Sequence, residues 1–401
     1  MGLYQSGRNV VVAYKANAGV YGTPATSGAG ASGLRFNTGG LNLTKQLIES
    51  GENRRDGMST RGRHGLRSVA GSYAAELQVG AFDALFEAAL RSTWVASATV
   101  TQATMSSATL SVAADGYVAS TGSWITAGLR VGDEIQFTAG VTVANRVRTR
   151  IVGLTATKIT VAEPLTVEAG PIATWSVTRA KKLIQASSPV DRDFSWEEYA
   201  VDIDQSIRYD GVRVTGFQLS MQPNGMVMVT FNLMGQDGVP LSTAASPYFT
   251  SPTFPTNGPL CSVEAAINFG GENLIDATAW ELNFDLGAQP AQVIASTRTP
   301  DIFPGLAKVT GSITALRRNL NRLSDFLAET QVGFYCRLAE NEASPADFMG
   351  VAITNMTIGG AQGSQWGADG PQTVQMPFVV GIDEAGGAFD PTMLKLTSSA
   401  P

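Results

Sequence analysis

One ordered set of segments occurs twice in this chain, and that repetition constrains its fold more than any other feature. Val69-Ala70-Gly71-Ser72-Tyr73-Ala74-Ala75 alternates in the manner of a strand and leads into Ala81–Leu90, where Phe82, Leu85, Phe86 and Leu90 fall at helical spacing. Val309-Thr310-Gly311-Ser312-Ile313-Thr314-Ala315 alternates likewise and leads into Leu323–Glu329, with Leu323, Phe326 and Leu327 on one face. Further on, Val212–Leu219 resembles Val351–Ile358. A turn follows each, Gln222–Gly225 in the first and a longer glycine-rich segment, Gly359–Gly370, in the second. Each copy then runs through one more strand to a Gly-x-Asp ending, Gly235-Gln236-Asp237 and Gly381-Ile382-Asp383. Upstream, Leu41–Ser50 corresponds to Ala279–Gly287 as an opening strand, and each opening strand enters a long polar excursion, residues 50–66 and 287–305. Both copies therefore read strand, long loop, strand, helix, hairpin.

The copies differ by an insertion. Between helix and last hairpin of the first copy lie Thr- and Val-rich residues with Gly-marked turns. Short strands are expected at Thr109–Ala114, Trp124–Leu129, Asp133–Thr138, Val147–Leu154 and Lys158–Ala162, with a tight turn at Gly128–Asp133. The expected organisation is a discontinuous first domain, residues 1–95 and 181–240, interrupted by a small surface β-barrel or sandwich, residues 96–180. A Pro- and Ser-rich linker, 241–259, leads to the second domain, 260–388, and a C-terminal tail, 389–401.

Composition excludes several classes. The length of 401 residues is enough for two to three domains with real cores. The net charge of −6 disfavours wholesale nucleic-acid binding, which needs a basic surface. Cys261 and Cys336 are too few for a disulfide framework or a zinc site, and read as buried thiols. No stretch of 18 or more apolar residues appears, so no membrane span is expected, and no charged-then-apolar leader opens the chain. Met1-Gly2-Leu3-Tyr4-Gln5-Ser6 formally fits an acylation pattern that nothing else in the chain supports.

No catalytic constellation is visible, and no cofactor or metal site is expected. The single histidine, His64, lies in a polar loop without a nucleophile signature, and no P-loop, Gly-x-Ser-x-Gly or His-Glu-x-x-His motif is present. Asp191, Asp193, Glu197 and Glu198 are clustered carboxylates that lack the ligand count of a cation loop and read as solvated charges. The strongest charge feature is the first excursion, which carries Arg54, Arg55, Arg61, Arg63 and Arg67. It lacks the interleaved aromatics that single-strand binding requires. A solvated loop, a contact with an acidic protein neighbour and a grip on nucleic-acid phosphates all remain open for it.

The duplicated strand–helix–hairpin unit, the long loop after the first strand and the Gly/Ala/Thr-rich insertion resemble the tail tube proteins of long, non-contractile-tailed siphophages. The resemblance spans nearly the whole chain and rests on architecture more than on an invariant motif. It implies a mainly β fold of two tandem tube β-sandwich domains, each with a short helix, plus the inserted domain. It further implies a structural, non-enzymatic role. Chains form homotrimeric, pseudo-hexameric rings that stack around a lumen, and double-stranded DNA passes through on ejection. The implied partners are further copies of the chain and the tape measure, tail tip and tail terminator proteins. The implied setting is the virion tail, and the host cytoplasm during assembly.

On that reading the arginine excursion is the inter-ring contact. Strand alternation then proposes lumen-facing residues. In Trp280–Leu286 one face is apolar and the other carries Glu281, Asn283 and Asp285; Glu76 and Gln78 extend a similar polar face. An acidic lumen would repel phosphates. A collar or capsid-decorating subunit, a carbohydrate-binding β-sandwich adhesin and an enzyme are the alternatives. The first is separated by whether the purified protein forms tubes, the second by clustered exposed aromatics, the third by a catalytic constellation.

Overall fold

The computed structural model describes residues 4–341, 343, 346–364, 366 and 370–400, so Met1–Leu3 of the acylation pattern lie outside the described residues. Strands β1 (Val10–Ala16), β2 (Thr38–Ile48) and β3 (Arg63–Glu76) precede helix α1 (Asp83–Leu90). After the insertion come β4 (Lys181–Ile184), β5 (Phe194–Ala200), β6 (Gln205–Met221), β7 (Met228–Gly235) and β8 (Asp237–Leu241). The second half supplies β9 (Ala265–Phe269), β10 (Ala277–Asp285), β11 (Lys308–Leu316), α2 (Asn321–Leu327) and β12 (Val332–Ala339). It ends with β13 (Phe348–Ile358), β14 (Gln362–Gly363), β15 (Thr373–Val380) and β16 (Lys395–Ser398).

The fold is mainly β, and its two halves are paired alike. The first half builds a ladder β2-β3-β7-β6, and the second builds β10-β11-β15-β13 in the corresponding order. β6 then pairs with β10, from Gly216↔Asp285 to Met221↔Trp280, so both ladders merge into one antiparallel run, β2-β3-β7-β6-β10-β11-β15-β13. A second layer covers each half: β1, β5, the start of β6 and β8 over the first, and β9, β12, the start of β13 and β16 over the second. Alternation puts one face of the run between the layers, where apolar side chains leave water. Trp196 stacks on Tyr14 and Tyr73 at 5.0 and 5.2 Å in the first half, and Trp280 on Phe334 at 5.4 Å in the second. α1 seats Phe86 against Phe217 and Phe231 at 5.1 and 5.2 Å. α2, by contrast, buries none of its residues, and Leu327 is 73% exposed.

Cross-strand partners fix how the copies correspond, and they move several sequence matches. Leu41 faces Gly71 as Leu282 faces Gly311, so Leu41 is equivalent to Leu282, three residues beyond the Ala279 of the sequence match. Val214 faces Leu233 as Ile358 faces Phe378, whereas the sequence pairing set Val214 against Ile353. Gln218 likewise corresponds to Gln362, since they face the equivalent Thr230 and Gln375. The strand β6 thus continues in the second copy as β13 plus β14, inside the segment read as a glycine-rich turn. Short alternating strands can slide past one another in sequence, and an odd slip exchanges their two faces.

The insertion is built of strands that pair only among themselves, from Ala98–Thr101 to Ser176–Arg179. They enclose Tyr117, Trp124, Phe137 and Trp175. Trp124–Leu129, expected as a strand, is a turn in which the Leu129 amide bonds the Trp124 carbonyl at 3.1 Å. Its apolar positions face the insertion core without alternating. Strands at Gly116–Ala119 and Glu168–Ile172 are not among those expected; the second contains Gly170-Pro171, a pair that reads as a turn.

The insertion is docked onto the second half through buried charge. Lys395 on β16 donates to Asp133 at 2.9 Å and pairs with Asp390 at 2.6 Å, while Lys182 pairs with Asp390 at 2.7 Å. Arg150 donates to the Ala266 carbonyl at 2.6 Å, and Arg337 to the Arg148 carbonyl at 2.8 Å. Burial raises the Asp390 carboxyl, but Lys395 and Lys182 outweigh it and hold the group below the usual carboxylate range. Residues 389–401, read as a tail, therefore contribute a core strand: β16 pairs with β13 and also with β4, which leads out of the insertion. The linker is also anchored, since the Tyr248 and Phe249 amides donate to Glu197 at 2.6 and 2.8 Å.

Asp133 is fully buried and shared by two buried lysines. Asp133→Ala should therefore destabilise the protein by about 3–5 kcal/mol, the range for breaking a buried pair. Urea denaturation followed by tryptophan fluorescence checks this; an unchanged midpoint would mean that the cluster does not hold the insertion.

Candidate functional site: a polar sheet face, an arm and two unpaired edges

The continuous run has one face in the core and one in water. The water face carries Ser72, Ala74 and Glu76 on β3, Thr230 and Asn232 on β7, and Gln218 and Ser220 on β6, all exposed or half-buried. It goes on through Glu281, Asn283 and Asp285 on β10 to Thr310 and Ser312 on β11. Register makes this one surface, since Ala74 faces Thr230, Thr230 faces Gln218, Gln218 faces Asn283, and Asn283 faces Thr310. Side chains here are small, and the charges are Glu76, Glu281 and Asp285 against Lys308, which lies opposite Asp285. Glu281 accepts from Gln218 Nε2 at 2.5 Å across the junction of the halves, Asn37 Nδ2 donates to Glu76 at 3.2 Å, and the Gly287 amide donates to Asp285 at 2.9 Å. Gln78 does not belong to this face. β3 ends at Glu76, the chain turns to bridge Pro259, and Gln78 is buried at 6% exposure with no donor for Oε1 among the described residues.

The first excursion is an arm. β2 and β3 pair outward as far as Ile48↔Arg63, and residues 49–62 form its tip. Arg54, Arg55, Arg61 and Arg63 are exposed, as are Leu47 and Ile48. Arg54 forks onto Asp56 at 3.1 and 2.9 Å, and that hydrogen bonding holds the Asp56 carboxyl below its ordinary range. Arg67 differs. It is part of β3, and its guanidinium reaches both oxygens of buried Asp237 at 3.2 Å, so it is committed within the chain. Asp237 also holds Arg298 of the second excursion at 2.6 Å, while Arg213 pairs with Asp301 at 2.9 Å and Gln236 Nε2 donates to the Thr299 carbonyl at 2.6 Å. The second excursion is thereby folded onto the first half of its own chain. Among the described residues the tip of the first has no such ion-paired seat.

The run ends in two edges with no strand beyond them among the described residues. One is β2. The other is the end of β13 with β14, past the residues that β12 covers. Beside β2 lies a groove of about 480 Å3 lined by Val10, Val12, Phe36, Tyr73, Ile207 and Leu241 among others. At its floor Glu198 accepts the Leu41 amide at 2.8 Å and the Tyr73 hydroxyl, and Tyr209 donates to the Leu41 carbonyl at 2.7 Å. Burial, and then Glu198, push the Tyr73 hydroxyl far above its ordinary value, so it stays a donor. Beside the other edge Trp366 stands 81% exposed over the Arg317 guanidinium, a feature with no counterpart in the sequence reading. An aromatic among glycines, with no periodic partner, carried no signal there.

The remaining sequence candidates are structural. Asp191 pairs with Arg91 at 2.6 Å, and Asp193 accepts Asn17 Nδ2 at 3.1 Å. Cys261 is half-buried, while Cys336 lies in the core, where burial pushes its thiol up to about 12.

Replacing Arg54, Arg55, Arg61 and Arg63 together by Ala should leave stability within about 0.5 kcal/mol per site, as for exposed positions. Asp237→Ala, which frees both Arg67 and Arg298, should cost about 1.5–3 kcal/mol. Parallel denaturation of the two variants separates the free arm from the committed arginine; equal losses would contradict that division.

One protein family, described as Phage tail tube protein, has a profile that matches the chain twice, over residues 7–192 and 169–380. No curated protein matches it.

Proposed function

Since the chain belongs to the phage tail tube protein family, its role is that of a structural part of a virion tail, and we propose that it forms rings that stack into a tube for DNA ejection. One observation carries this reading: a single sheet runs through both halves with a packed face, a small-residue polar face and an unpaired edge at each end. An open sheet with exposed edges invites pairing with another chain, and a head-to-tail contact that closes by rotation gives a ring without edges. Two near-equivalent halves per chain favour three chains supplying six positions around a siphophage-type tube. The first domain comprises residues 1–95 and 181–240, and the second 260–388 with the β16 strand; residues 96–180 sit apart from the shared sheet and decorate the outside.

The polar face carrying Glu76, Glu281, Asn283 and Asp285 is assigned to the lumen. Its short side chains leave room, and its three carboxylates against Lys308 repel phosphates instead of binding them. The arginine tip, Arg54 to Arg63, is assigned to the axial contact between rings, where guanidinium forks meet carboxylates of an acidic chain. Tape measure, tail tip and tail terminator proteins are the partners at the tube's interior and ends, and assembly takes place in the host cytoplasm.

Electron microscopy of concentrated protein should show rings or tubes with a central pore, and monodisperse single chains at every concentration would contradict the reading. Under tube-forming conditions the quadruple arginine variant should sediment less than wild type, and high salt should mimic it, each exposed pair contributing about 0.2–1 kcal/mol. A charge-reversed tube, Glu281→Lys with Asp285→Lys, should retain short duplex DNA in low salt where wild type does not. Equal retention would place the polar face away from the lumen.

A further inference from the structure

The pairing of β6 with β10 joins the two halves within the continuous run, and that joint is a template for its unpaired edges. Within the chain, β6 adds to the edge of β10, and the turn that follows, Met221–Asn224, lines a cleft together with Ala265–Ile267 and Ala279–Trp280. The strands equivalent to β10 and β9 in the first half are β2 and β1. Their cleft is the groove of about 480 Å3, whose lining includes Gln5, Gly7, Val10, Val12, Gly39 and Gly40, and among the described residues no turn following a β6-like strand lines it as Met221–Asn224 lines the other. The strand equivalent to β6 in the second half is β13 with β14, whose outer edge has no partner strand beyond β12 among the described residues.

Resting on the tube reading above, we propose that the groove beside β2 is the receiving site for the β13–β14 edge of a second copy of this chain, with Trp366 of that copy entering it. The equivalences Leu41 with Leu282 and Gln218 with Gln362 set the register. Asn283 faces Gln218 inside the chain, so Asn42 faces Gln362 of the neighbour. Phe284 faces Phe217, so Leu43 faces Ala361; Asp285 faces Gly216, so Thr44 faces Gly360. The Leu286 amide donates to the Thr215 carbonyl at 2.9 Å, and the same bond runs from Lys45 to Gly359. The ladder stops at Asn42, because Glu198 and Tyr209 already hold the polar groups of Leu41.

Trp366 is four residues past Gln362 and corresponds to Gln222, which lines the internal cleft four residues past Gln218. An exposed tryptophan opposite an apolar groove is the usual anchor of a protein interface. At the other end of the joint, Leu47 corresponds to Ala288, which flanks the end of α1 beside Ala88. In the neighbour the same position is the end of α2, where Leu327 is bare. The base of the arm thus packs sideways within a ring and leaves its arginine tip for the axial contact.

The test uses the full chain carrying Cys261→Ser, with core-buried Cys336 left in place. Asn42→Cys and Gln362→Cys are made separately, mixed under assembling conditions and oxidised. Both positions are exposed, and their internal equivalents, Asn283 and Gln218, face each other directly. The expected result is a disulfide-linked dimer from the mixture and none from either variant alone. Trp366→Ala should retain the wild-type circular dichroism spectrum and raise the concentration for half-assembly at least tenfold. Rings in micrographs without the disulfide, or Trp366→Ala assembling at the wild-type concentration, would overturn this joint and leave the tail tube role standing. Wild-type protein that stays monomeric throughout would overturn both.

Discussion

The antiparallel pairing of β6 with β10 is the interaction on which the remaining architecture depends. It turns two sandwiches into one sheet, and it does so with backbone hydrogen bonds backed by aromatic contact, since Phe217 stacks on Phe284 at 5.3 Å across the seam. A buried sheet edge must satisfy its amides and carbonyls, and here each half satisfies the other's. The second excursion is held by the same geometry. Once β6 and β10 are joined, residues 286–307 fall against the first half, where Asp237 takes Arg298 and Arg67 together.

The two halves share a plan but not its energetics. α1 is packed against Phe217 and Phe231, while α2 lies open with Leu320 and Leu327 exposed. The second half instead leans on charge. Lys395, Asp133, Asp390 and Lys182 form a buried cluster that locks β16, the insertion and the entry to β4 together. Such a cluster adds less net stability than an apolar replacement of similar shape, but losing one member leaves an uncompensated charge. It therefore makes docking of the insertion strongly dependent on geometry.

Local pattern made much of this molecule legible. Period-two alternation in Val69–Ala75 and Trp280–Leu286, and helical spacing at Phe82, Leu85 and Phe86, are properties of neighbouring residues, and they identified strands, helix and polar faces directly. The order of those segments revealed the duplication, and Glu281, Asn283 and Asp285 sit on the water face because alternation leaves them no other side. Gln78 broke from its face because the strand ended two residues earlier, at Glu76, which no local pattern marked.

By itself, then, the sequence determined the β-rich class, the tandem repeat and the chemistry of each strand face. Only the tertiary structure decided register, partners and edges. Leu41 corresponds to Leu282 because both oppose an equivalent glycine on the next strand. Arg67 is committed and Arg61 has no ion pair among the described residues because Asp237, 170 residues from Arg67, lies beside one and not the other. Lys395–Ser398 is core because β16 finds partners in both halves. The physical reason is common to all three. A strand's composition fixes which face is apolar, but its hydrogen bonds are made by backbone groups that every residue shares, so the choice of neighbour is written only in the packing of the whole chain.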